Sequence, residues 1–141
     1  MKKKTILVAN HASLFPKTMA NQDRVFNMIK RLAQDHTVDV MTPYRNHHEL
    51  TESRRYLEPI CNKFFPVTAI NPTYDYLKTK FNRLNSYFGY YARGNPLLYY
   101  YSTHKKYTVA LVDIMRSNRY DIVQAEYWFM AKLFGFSNKN A

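Results

Sequence analysis

The chain has 141 residues, 46% of them apolar, enough for one ordinary hydrophobic core and too many for a disordered or collagen-like polypeptide. Three glycines leave almost no room for Gly-rich phosphate cradles, and the lone Cys61 excludes an internal disulfide, which makes a reducing cytoplasm the default. A net charge of +11, with thirteen Tyr, nine Phe and one Trp, points to an anionic partner or surface.

The opening Met1-Lys2-Lys3-Lys4 is followed by an apolar run from Thr5 to Ala9. That run is too short for the core of a secretory signal and reads as a first buried strand of a parallel sheet. No stretch approaches the length of a membrane-spanning helix, so a soluble or peripheral cytoplasmic protein is expected. A glycine-free loop follows, containing Phe15-Pro16. Asn21 is expected to cap a helix through about Gln34, in which Val25, Phe26, Ile29, Leu32 and Ala33 recur at helical spacing. A second strand from Thr37 to Thr42 should stop at Pro43, completing a βαβ unit.

Asn46 should cap the next helix, with Glu49 and Glu52 as solvated carboxylates in its first turns and an end near Glu58-Pro59. A weak third strand is expected between Ile60 and Ile70, broken by Pro66. From Tyr74 the pattern suggests a helix to about Tyr87, a break from Gly89 to Pro96, and a helix from about Leu97 to Asn118. In that second helix Ala110, Leu111, Ile114 and Met115 form a core stripe. Tyr120 to Ala125 reads as a fourth strand, and Tyr127 to Phe136 as the start of another helix. Four strands separated by helices give an α/β, Rossmann-like, doubly wound, mainly parallel sheet in one domain over residues 1–141. With the order 3-2-1-4, the apolar fourth strand would sit at an edge, so the domain is expected to be truncated before a fifth strand.

Local motifs add little. Gly89 to Gly94 has a P-loop spacing, but Asn95-Pro96 stands where the Lys and Ser/Thr would be. The first loop lacks the glycines of a dinucleotide fingerprint. His48-Glu49-Leu50-Thr51-Glu52 imitates a zinc-protease motif without its second His, and no metal site is expected. Cys61 reads as packed and inert.

Several elements in order carry a resemblance. These are the strand Ile6-Leu7-Val8, the loop with Phe15-Pro16, Arg24 near the start of the first helix, and Leu32-Ala33. They continue with His36 before Val38-Asp39-Val40, Thr42-Pro43 closing that strand, and Tyr120-Asp121-Ile122-Val123 with Glu126 just beyond it. The sequence resembles the N-terminal, acceptor-side half of a GT-B glycosyltransferase of the family 4 type. The resemblance implies transfer of a sugar from a nucleotide-sugar donor to a glycan, lipid-linked or other surface acceptor. It also implies that the donor binds mainly to a second, C-terminal domain or separate reading frame, that this chain holds no cofactor of its own, and that alone it is inactive. The chain departs from many relatives in having no glycine between Asn10 and Asn21, which disfavours close backbone contact with a diphosphate.

The loops after strands one and four flank the switch point of such a sheet, where ligands of open α/β folds bind. His11 and Glu126 are therefore the catalytic candidates. Asn10, His11, Ser13, Lys17, Arg24 and Trp128 are the acceptor-binding candidates, with Asp23 or an anionic ligand as the expected partner of Arg24. Residues 74–107 hold six basic residues against one acidic, and eleven aromatics. Lys78, Lys80, Arg83, Tyr87, Tyr90, Arg93, Lys105 and Lys106 suit an anionic membrane surface. The alternative to an enzyme is thus a basic aromatic module that docks on membranes. Nucleic acid is the weaker partner, since no RNA- or DNA-binding module accompanies the stretch.

Overall fold

The computed structural model describes residues 2–68 and 105–126. In chain order the elements are β1 (Thr5–Ala9), α1 (Ala20–Asp35), β2 (Thr37–Tyr44), α2 (His47–Leu57), β3 (Lys63–Thr68), α3 (Lys105–Ser117) and β4 (Ile122–Ala125). The strands form one all-parallel sheet in the order β3-β2-β1-β4, a Rossmann-like α/β arrangement. The expected helix from Tyr74 to about Tyr87, the break near Gly89, the start of the helix at Leu97 and the helix after Tyr127 lie outside the described residues.

Alternation along β1 explains the layers. Ile6 and Val8 point to one face, where they meet Val25 and Ile29 of α1, Leu57 of α2, and Val38 and Val40 of β2. Leu7 and Ala9 point to the other, against Met41 and against Tyr107 and Leu111 of α3. Leu7, Val8 and Ala9 have no exposed surface, as a central parallel strand covered on both faces requires. Burial of Leu7 and Val8 contributes about 1.5–3 kcal/mol each.

Helix α1 starts earlier than the position of Asn21 suggests. Its cap is Met19, and Asn21 lies within the first turn. The Gln22 side chain does the capping: its Oε1 accepts from the backbone N–H of Met19 at 2.8 Å and of Thr18 at 2.6 Å. Helix α2 follows expectation, with Asn46 Oδ1 accepting from the Glu49 N–H at 2.8 Å and the cap at Glu58. Glu49, however, is buried rather than solvated, because Arg45 folds back on it from one turn earlier, with its Nη2 2.8 Å from Oε1.

Neither proline ends its strand. β2 runs through Pro43 to Tyr44 and stays paired with β3 to the end. The ladder alternates sides: Thr37 N–H bonds to Lys4 and Met41 C=O to Asn10 on the β1 side, whereas Val38 C=O takes Asn62 N–H on the β3 side. Pro43 shares the parity of Met41, so its missing N–H falls beyond the end of β1, where no ladder bond is lost. β3 likewise continues through Pro66, opposite Thr42. Among the described residues it pairs only with β2, and an edge strand tolerates proline.

The amino-terminal end of the sheet is closed by polar side chains. Asp39 is buried on β2, and its two oxygens accept from Asn62 Nδ2 and from the Tyr120 hydroxyl, each at 2.8 Å. Burial, followed by the bond to Asp39, raises the Tyr120 phenol above its ordinary value. Asp121 accepts from the Thr5 N–H at 2.8 Å, and Lys63 Nζ donates to Asn118 Oδ1 at 2.9 Å. These contacts fix the turn between α3 and β4 against three other strands. Tyr120→Phe should therefore destabilise the fold by about 1–3 kcal/mol, since it leaves one oxygen of a buried carboxylate without its donor. Urea unfolding of the two proteins at neutral pH measures this, and equal midpoints would contradict it.

Candidate functional site

The carboxyl ends of β1, β2 and β4 form one continuous edge. The ladder extends one step past each strand: Asn10 N–H donates to Met41 C=O at 2.9 Å, and Glu126 N–H to Ala9 C=O at 3.0 Å. Ala9 is in register with both Met41 and Ala125, so the next step sets Thr42, Asn10 and Glu126 side by side across three strands. All three are buried and carry polar side chains. A row of polar groups at this depth is unlike the apolar row of Met41, Ala9 and Ala125 directly beneath it.

Glu126 is the best-anchored of them. Arg24 of α1 reaches it with Nη2 2.6 Å from Oε2, across 102 residues of sequence. Gln124, two residues earlier and on the same face, donates its Nε2 to Oε1 at 2.7 Å and lies 3.0 Å from the Met28 sulfur. Both carboxylate oxygens are thus held. Arg24 belongs to Glu126 and not to Asp23, the neighbour the sequence suggests, because Asp23 is taken by Lys17 at 2.8 Å.

Asn10 donates its Nδ2 to Ala12 C=O at 2.7 Å, which bends the chain out of β1. Its buried Oδ1, and the buried hydroxyl of Thr42, find no hydrogen-bond partner among the described residues. Such groups normally bond to protein, water or ligand, so this edge retains hydrogen-bonding capacity. His11 comes next, half-buried. Burial lowers its imidazole below the ordinary value of 6.5, and the Glu126 carboxylate only partly offsets this. A histidine held neutral can accept a proton from a bound hydroxyl.

The remaining candidates have other work. Ser13 Oγ donates to Phe15 C=O at 2.7 Å, and its own carbonyl accepts from Gln22 Nε2 at 2.9 Å, so its polar atoms shape the loop. Lys17 sits over the Phe26 ring at 4.2 Å besides its bond to Asp23. The structure therefore brings Asn10, His11, Arg24 and Glu126 together and assigns Ser13 and Lys17 to the β1–α1 loop. Sequence reasoning missed Gln124 and Thr42. Gln124 gives no local signal, whereas Thr42 is marked only as the last residue before Pro43.

Trp128, Lys78, Lys80, Arg83, Tyr87, Tyr90 and Arg93 lie outside the described residues. Lys105 opens α3 and Lys106 is exposed on it. No helix among the described residues is long and apolar enough to cross a membrane, and no three His, Cys, Asp or Glu side chains among them are grouped to hold a metal ion. His48 is exposed at the start of α2. The Cys61 thiol is pushed up to about 11 by burial and then by Asp39, which keeps it a poor nucleophile.

No family model, curated protein or solved structure matches the chain.

Two measurements test the geometry of this edge. Arg24→Ala should cost about 1–3 kcal/mol, because the Glu126 side chain is only 5% exposed and loses a charged donor; a cost near zero in chemical denaturation would contradict the pair. The histidine supplies the second. A folded-state value below 6.5 means that the unfolded chain binds the His11 proton more readily. Its contribution to stability is then complete above about pH 6.5 and declines as pH falls toward the lower folded value. Between roughly pH 7.5 and 5.5 the wild type should lose more stability than His11→Gln does. Parallel losses in the two proteins would refute the assignment.

Proposed function

We propose that this chain is the acceptor-binding part of a glycosyltransferase, moving a sugar from a nucleotide-sugar donor to a glycan or lipid-linked acceptor. The observation that supports this best is the row of Thr42, Asn10 and Glu126 beside His11, at the point where the order β3-β2-β1-β4 reverses direction. Ligands of open α/β sheets bind outside the carboxyl ends of strands at such a reversal. The groups present suit a neutral, hydroxyl-bearing acceptor. Asn10 Oδ1 accepts from one hydroxyl and Thr42 Oγ1 exchanges bonds with another. His11, held neutral, takes the proton of the reacting hydroxyl as its oxygen bonds to the sugar's anomeric carbon, while the bond from that carbon to the nucleoside diphosphate breaks and the diphosphate leaves with the electron pair. Glu126 favours the imidazolium that results, and Arg24 and Gln124 keep that carboxylate in one position.

In this reading the nucleotide-sugar is held mainly by a second domain or a separately encoded chain. The site acts at the cytoplasmic face of a membrane, where a basic surface aids access to lipid-linked acceptors.

The test begins by reading the gene and its neighbours past codon 141 for a donor domain with a Glu-x7-Glu motif. The complete product is then assayed for transfer from a panel of UDP- and GDP-sugars to extracted membrane glycolipids. Transfer is expected, and His11→Ala should slow it by about 10²-fold or more, the usual contribution of a general base. A complete product that transfers nothing, or a His11→Ala variant at wild-type rate, would sink the proposal.

A further inference from the structure

A groove that includes neither His11 nor Glu126 lies beside the β1–α1 loop. That loop, α1 and α2 enclose about 300 Å³ lined by Phe15, Pro16, Lys17, Phe26, Glu52 and Tyr56. Its volume is at the small end of ligand sites. The aromatic rings brace one another. Phe15 stacks on Tyr56 at 4.7 Å between centroids and meets Phe26 edge-on at 5.2 Å. Phe15 is buried, but Tyr56 is 40% exposed and Pro16 is exposed, so apolar ring surface faces solvent at the groove.

Charge narrows what can sit there. Lys17 is neutralised by Asp23 at 2.8 Å and lies 4.2 Å from the Phe26 centroid, while Arg55 lies 5.5 Å from that of Tyr56. The cation-binding capacity of the rings is therefore met from within the chain, which disfavours an ammonium ligand. Glu52, half-buried in the lining and 3.8 Å from Arg55, disfavours a phosphate or carboxylate. What remains is a neutral molecule with one apolar face and hydroxyls around its rim. The apolar face suits Tyr56 and Pro16, and the hydroxyls suit the Glu52 carboxylate and the Lys17 ammonium.

We propose that this groove is a carbohydrate subsite for a single neutral pyranose ring. It goes beyond the transfer reaction above and requires neither His11 nor Glu126, so the two readings can fail separately.

Saturation-transfer NMR on the full chain tests it with four probes: methyl α-glucoside, methyl α-mannoside, methyl β-galactoside and N-acetylglucosamine. Saturable transfer from aromatic protein protons to the ring C–H protons of at least one probe is expected. Tyr56→Ala should weaken that probe roughly tenfold, the worth of one ring contact. Tyr56→Phe should keep most of the affinity, Glu52→Gln should lower it, and His11→Ala should leave it unchanged. The last three variants leave the ring stack in place and decide the matter even if Tyr56→Ala does not fold. The proposal is overturned if none of the four probes binds, if Glu52→Gln or a folded Tyr56→Ala binds as the wild type does, or if His11→Ala abolishes the binding.

Discussion

Complete enclosure of β1 is the constraint on which the rest of the structure depends. Leu7, Val8 and Ala9 have no exposed surface, so the strand needs a hydrogen-bonding neighbour on each side and a helix on each face. β2 and β4 supply the first, and α1 and α3 the second. Once those four neighbours are in place, the chain can leave β1 only along its own axis. Asn10 and His11 consequently emerge between the ends of β2 and β4, flanked by whatever those strands carry at the same level.

The two ends of the sheet are polar in different ways. At the amino end both oxygens of Asp39 are met by Asn62 and Tyr120, and Asp121 holds the backbone of β1. Such a satisfied network rigidifies a fold. At the carboxyl end Glu126 is anchored just as firmly, yet Asn10 and Thr42 retain buried oxygens with bonding capacity. The satisfied network and the edge that retains bonding capacity are thus separated along the strand axis, with the apolar row of Met41, Ala9 and Ala125 between them.

The fold was largely legible because its signals are local. Burial on both faces makes β1 an unbroken aliphatic run, and the spacing of Val25 and Ile29 shows the inward face of α1. Where local signals misled, a distant or side-chain partner had taken over. Asn21 looks like a cap, but Gln22 reaches back to do that work. Pro43 looks like a stop, but the position of its missing N–H depends on where β1 ends, which only the register reveals. The site was half legible. His11 and Glu126 follow from strand order, because residues just beyond adjacent parallel strands must meet. The Arg24–Glu126 pair spans 102 residues and leaves no pattern in sequence, and Gln124 is an ordinary strand residue until its neighbours are known.

The loop between β1 and α1 has no glycine, and a single side chain compensates. Gln22 accepts from the N–H groups of Thr18 and Met19 and donates to the carbonyl of Ser13, so one amide ties the far end of the loop to its beginning. These three bonds hold the loop from within the chain. Both the sheet edge and the aromatic groove border it, and a ligand arriving at either meets a surface that needs little ordering. The entropy usually lost in fixing a flexible loop is then already spent during folding. For the sugar binding proposed above, capture is then a matter of fit, and selectivity among similar sugars follows from shapes the chain holds before they arrive.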